Sequence, residues 1–110
     1  MTDTILVFNE TNSFADTIEQ FYISPDSGNG TKIKAFTAAN NSDSSKSYKA
    51  YIYPSSGADP QAVIPLTIVV RDRKDYGPSI IGQLIPAGGS LRMETSDIDG
   101  LNFYVTGQEV

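Results

Sequence analysis

The chain contains no cysteine, no histidine and no tryptophan. Without cysteine there are no disulfides, no thiolate nucleophiles and no Cys-ligated zinc, and the redox compartment stays open, because a chain without thiols is indifferent to it. Without histidine there is no imidazole base and the commonest metal ligand is missing, so catalytic triads and the usual zinc sites are excluded. Positive charge is also scarce: 8 Lys plus Arg stand against 13 Asp plus Glu, a net charge of −5. Nucleic acids are held mainly through clustered Lys and Arg, so they are not an expected partner. The one basic cluster, Arg71, Arg73 and Lys74, is interleaved with Asp72 and Asp75, which shortens its field and reads plainly as a solvated loop. Long apolar runs are missing as well. The longest, Ala62 to Val70, is interrupted by Pro65 and falls short of the roughly 20 residues of a membrane-spanning helix, so no membrane is expected. The start, Met1 to Phe8, carries Asp3 and only a short apolar run. A secretory signal has a basic start and roughly 7–15 apolar residues, so no targeting segment is expected.

What is present is a strand-forming composition. Ile, Val and Thr outnumber Leu several-fold, and branching at Cβ favours a pleated surface over a helix. Leu101, Phe103 and Val105 alternate with Asn102, Tyr104 and Thr106, a period of two that turns the first set inward. The same alternation turns Leu91 and Met93 inward against Ser90, Arg92 and Glu94, and Tyr48, Ala50 and Ile52 inward against Lys49, Tyr51 and Tyr53. Five less regular runs follow the same composition: Thr4 to Phe8, Thr17 to Ile23, Thr31 to Ala39, Val63 to Val70, and Ser79 to Ile85. Turn formers separate them, among them Pro25 to Gly30, Asn40 to Lys46, Pro54 to Pro60, Asp75-Tyr76-Gly77-Pro78 and Pro86 to Gly89. Asn12 to Glu19 has too little apolar content for a helix and reads as loop or sheet edge. The predicted fold is all-β: an antiparallel β-sandwich, jelly-roll-like, with about eight strands. It fills residues 1–110 as one domain, with residues 1–16 as an N-terminal docking segment.

Few constellations carry chemistry. Asp97-Ile98-Asp99-Gly100 has the opening of a calcium loop without its remaining ligands, and a turn is the simpler reading. Asp72 with Asp75, or Glu94 with Asp97, could serve as acid and base, but nothing in the sequence pairs them in space. The Gly-rich stretches at Ser27 to Thr31 and Pro86 to Ser90 lack the Gly-Lys-Ser/Thr ending of a phosphate loop. No catalytic, metal-binding or cofactor-binding residue is assigned, and no enzyme activity is expected. Three of the 6 tyrosines, namely Tyr51, Tyr53 and Tyr104, fall on the polar sides of their strands. Such rings are anchors for another protein, a platform for sugar rings, or cover for a neighbouring segment, and the sequence leaves all three open.

Three segments carry a family likeness. Phe36-Thr37-Ala38-Ala39-Asn40-Asn41-Ser42 resembles a strand ending in an Asn-Ser turn, Leu84-Ile85-Pro86-Ala87-Gly88-Gly89-Ser90-Leu91 a Pro-Gly hairpin, and Leu101 to Val110 a closing strand with Thr-Gly-Gln-Glu near its end. In these segments the chain resembles the small jelly-roll and β-sandwich virion proteins of tailed bacteriophages, most of all the capsid decoration (cement or staple) proteins of short-tailed phages. That resemblance implies a noncatalytic protein on the outer capsid surface of the virion, bound to the major capsid protein and clamping its neighbouring subunits. It also implies a homo-oligomer, dimer or trimer. A neck or tail component of the virion is compatible with the same residues. The expected contacts are the apolar run Ile5, Leu6, Val7 and Phe8, available to a partner's sheet edge, and the loop carrying Arg71, Arg73 and Tyr76, with Tyr51, Tyr53 and Tyr104 as outward aromatics. The alternative is a carbohydrate-binding or adhesion module using those tyrosines, with a glycan as its ligand.

Overall fold

The computed structural model describes residues 4–57, 59–97 and 101–110, residues 61 and 62 by their backbone alone. Among these the strand-formers make nine strands and no helix: β1 (Thr4–Glu10), β2 (Glu19–Ile23), β3 (Thr31–Asn40), β4 (Lys46–Tyr53), β5 (Gln61–Val69), β6 (Lys74–Asp75), β7 (Leu84–Ile85), β8 (Ser90–Thr95) and β9 (Leu101–Glu109). They form two antiparallel sheets. The first runs β1-β9-β3-β6, with β7 also on β3, and the second runs β2-β8-β4-β5. Both β6 and β7 pair with β3, at Ala38–Ala39 and at Thr31–Lys32. Taken as two halves of one interrupted edge strand, they reduce the count to eight, and the chain then crosses between sheets at every step except the β4–β5 hairpin. The sandwich is the one the alternation predicts, and the strand order, which the alternation leaves open, is that of a jelly roll.

The core lies between the sheets and follows the predicted inward sets. Tyr48, Ala50 and Ile52 of β4, Leu91 and Met93 of β8, and Leu101, Phe103 and Val105 of β9 are all buried. At its centre the Phe36 and Tyr48 rings stack at 5.8 Å, and Phe103 meets Tyr48 edge-on at 5.6 Å. Such pairs add to the burial of two of the largest side chains in the fold, so truncating Phe103 to Ala removes about 3–5 kcal/mol.

The irregular runs are irregular because the strands bulge. Between Ile5↔Thr106 and Glu10↔Phe103 the register of β1 slips twice, each slip placing one extra residue on β1. The first lets two consecutive residues face inward, so Val7 is buried and Leu6 half-buried, while Ile5 and Phe8 remain exposed. One extra residue in β2 does the same for Phe21 and Tyr22. β5 carries two slips around Pro65. All three are sheet-edge strands, and bulges with a proline are the usual protection against edge-to-edge association.

Two expected runs differ. The strand predicted over Ser79 to Ile85 is reduced to Leu84–Ile85, because Gly77 (φ 53°) and Gly82 (φ 86°) with Pro78 close successive turns. The Ile80 and Gln83 amides donate to the Gly77 and Ile80 carbonyls, and Ile80 alone plugs the core from this turn. The run from Thr17 starts as a strand only at Glu19, because Glu19 is occupied in holding the preceding loop. The Asp97-Ile98-Asp99-Gly100 turn lies outside the described residues except for Asp97, which bonds to Lys46 at 2.6 Å.

Candidate functional site

The structure divides the candidate residues between the two outer faces of the sandwich. On the first sheet, register aligns them. Phe8 meets Tyr104 edge-on at 5.7 Å, Thr37 of β3 lies opposite Tyr104, and Asp75 lies opposite Ala38, which places Tyr76 beside Thr37. An aromatic row therefore crosses four strand positions, from Phe8 through Tyr104 and Thr37 to Tyr76. A parallel row joins Ile5 to Thr106 and Ala35. Ile5, Phe8 and Tyr76 are 51%, 61% and 64% exposed, and the small Ala35, Thr37 and Ala39 keep the floor between them low. Leu6 and Val7, also expected as contacts, instead face the core. The backbone of β1 is used on one side by β9 and bulged along its length, so side chains, rather than an added strand, are what this edge can offer.

Arg71, Arg73 and Lys74 border the Tyr76 end and are exposed. Arg71 reaches Asp72 at 3.7 Å. Their segment is not a free loop, because the Tyr48 hydroxyl donates to Asp75 Oδ2 at 2.6 Å and the Gly77 amide donates to the same oxygen at 3.1 Å. Burial, reinforced by this carboxylate, pushes the Tyr48 hydroxyl far above its ordinary range. Asp75 is thus a brace for the turn, and sequence reasoning that set it beside Asp72 missed its partner, which lies 27 residues upstream. Gly77 is required by the same turn: a Cβ there would stand 2.6 Å from Phe36 Cδ1.

The second sheet presents Ser47, Lys49, Tyr51 and Tyr53 of β4 beside Arg92 and Glu94 of β8. The Tyr51 hydroxyl donates to Glu94 Oε1 at 2.9 Å, and the Tyr51 and Tyr53 rings meet edge-on at 6.3 Å. The Arg92 guanidinium lies 4.0 Å above the Tyr53 ring, its Nε donating to Ser90 Oγ at 3.0 Å. Burial, the Glu94 bond and the Glu94 charge push the Tyr51 hydroxyl up to about 12. Beside this cluster is a shallow, solvent-open depression of about 120 Å³, lined by Asp16, Lys49, Leu66 and Glu94 with Ser47, Thr95 and Ser96. Tyr51 and Tyr53 were expected from the sequence. Lys49, Arg92 and Glu94 are also outward in the sequence alternation, and of these only Glu94 is a candidate there, as an acid–base partner of Asp97; here Glu94 bonds to Tyr51 and Asp97 to Lys46.

The loop before β2 is the remaining polar cluster. Buried Asn12 donates from Nδ2 to the Thr17 and Met93 carbonyls and to Glu19, whose carboxylate also accepts from the Ser13 and Phe14 amides. Desolvation raises the Glu19 carboxyl, but these donors outweigh it and hold it below the usual carboxylate range. This cluster orders Asn12 to Ile18, which explains why that segment needs no helix. Among the described residues no three of Asp, Glu, His and Cys gather to hold a metal ion.

Comparison with family models, with curated proteins and with solved structures finds no match.

Proposed function

We propose that the chain is a noncatalytic virion protein that docks on the outside of a phage capsid through the outer face of its first sheet and clamps neighbouring capsid subunits. The observation that supports this most is the row Phe8, Tyr104, Thr37 and Tyr76, flanked by Ile5, in which Phe8, Tyr76 and Ile5 are exposed. Exposed apolar patches of this kind mark protein docking sites, and aromatic anchors carry most of the energy in such interfaces. The row sits on strands held rigid by the core, so little order is lost on binding. Arg71 and Arg73 at its end supply a polar rim that selects register and acidic neighbours. Jelly rolls serve in viral capsids and in lectins alike, so the fold leaves both roles open and the surface chemistry favours a protein partner for this face. A ligand that binds only the assembled shell stabilises it by mass action, and repetition over a symmetric lattice, with the chain itself a dimer or trimer, multiplies the effect.

The test is occupancy on purified particles. Phe8→Asp, and separately Arg71→Glu with Arg73→Glu, should lower the copies bound per particle, whereas Ile68→Asp on the other sheet should not. Unchanged occupancy in Phe8→Asp would remove the basis for this reading.

A further inference from the structure

The depression on the second sheet lies on the side of the sandwich opposite the aromatic row and is not used by the docking proposed above. Its charged groups stand open. Lys49 lies directly opposite Glu94 across β4 and β8, yet neither they nor Asp16 form an ion pair among the described residues. Glu94 spends Oε1 on Tyr51 and keeps Oε2 for another donor. The set therefore offers carboxylate acceptors from Asp16 and Glu94, an ammonium donor from Lys49, the Ser47 hydroxyl, and apolar contact from Leu66.

This chemistry narrows the ligand. Two carboxylates repel a phosphate or other anion, and the ammonium repels a bare cation. A neutral ligand that both donates and accepts along one edge, and is apolar on its face, satisfies every group at once. At about 120 Å³ the depression is well below the roughly 300–1,000 Å³ of enclosed small-ligand pockets, so it suits one ring laid against the surface and not a buried ligand. The rigid strands and the Tyr51–Glu94 bond orient the acceptors before the ligand arrives, which lowers the ordering cost of binding.

We propose that this depression is a saccharide subsite, in which Glu94, oriented by Tyr51, and Asp16 accept from sugar hydroxyls, Lys49 donates to another, and Leu66 covers the ring's apolar face. The test is an amide-resolved NMR titration of the intact chain with cellotetraose, chitotetraose and maltotetraose at millimolar concentration. At least one should give saturable shifts at Lys49, Tyr51 and Glu94. Glu94→Gln and Lys49→Met should weaken that binding by about tenfold, the worth of one charged hydrogen bond, with the melting temperature little changed. Absence of saturable shifts with all three probes would overturn the proposal, as would shifts that persist undiminished in both variants. If these variants reduce occupancy on particles and no sugar binds, the face contacts protein and the saccharide assignment is wrong. Because Phe8→Asp acts on the other sheet, failure of the docking proposal and failure of this one are read separately.

Discussion

The bond between Tyr48 and Asp75 fixes the segment that carries Arg71, Arg73 and Tyr76, and its two ends are unequal. Tyr48 is 0% exposed, so its hydroxyl has no water to turn to. Asp75 is half-buried and keeps the Gly77 amide as a donor. Tyr48→Phe removes the donor and leaves a carboxylate that stays partly solvated, at a cost of about 1 kcal/mol. Asp75→Ala strands a buried hydroxyl and also frees the Gly77 amide, at a cost of roughly 2–3 kcal/mol. In the double variant the stranded hydroxyl is gone, so the combined loss falls below the sum by about 1 kcal/mol. A domain near this size shifts by about 4–8 °C per kcal/mol, so Tyr48→Phe lowers the melting temperature by roughly 5 °C and Asp75→Ala by about twice that. Urea unfolding of the four proteins, with thermal melts alongside, measures the cycle. Equal losses in the two single variants, or strict additivity in the double, would refute the assignment of Asp75 as the acceptor for a buried hydroxyl.

Glu19 gives a pH dependence of the opposite kind to the tyrosines. Its folded-state pKa is lowered, so its contribution is present above the ordinary Glu value and is lost as pH falls through the lowered one; the protection of the Ser13 and Phe14 amides, measured against their intrinsic exchange rates, should fall in acid, and Glu19→Gln should blunt the change. Tyr51, pushed up to about 12, favours the folded state below the ordinary tyrosine pKa of about 10, and stability should fall as pH rises from there towards 12, less steeply in Tyr51→Phe, as read by unfolding at fixed denaturant. Gly77→Ala forces a Cβ against Phe36 at positive φ and should cost at least about 2 kcal/mol in the same urea assay.

The parts of the fold legible in the sequence are those where every second residue meets the core. β9, β8 and β4 alternate without interruption through Phe103, Met93 and Ala50, and their inward sets are the observed core. The period is lost where an extra residue enters an edge strand, as at Leu6 in β1 or Phe21 in β2, because two neighbours then share one face. β6 has two residues, too few to show any period, and Ile80 is buried from a turn, which no alternation can signal. For the surface, alternation separates inside from outside but does not say which sheet an outward residue joins. Tyr51, Tyr53 and Tyr104 therefore read as one group, while strand order sets Tyr104 with Phe8 on one face and Tyr51 with Tyr53 on the other. Partners distant in the chain, such as Asp75 for Tyr48, follow only from the pairing of β6 with β3.

The central proposal, a protein that covers a phage shell, is tested most directly by its copy number relative to the major capsid protein, measured by quantitative mass spectrometry on virions purified from cells that produce the chain. Lattice decoration predicts a ratio near one to one or a simple fraction set by the shell's symmetry. A few copies per particle would move the protein to the neck or tail, and its absence from the virion would contradict the account.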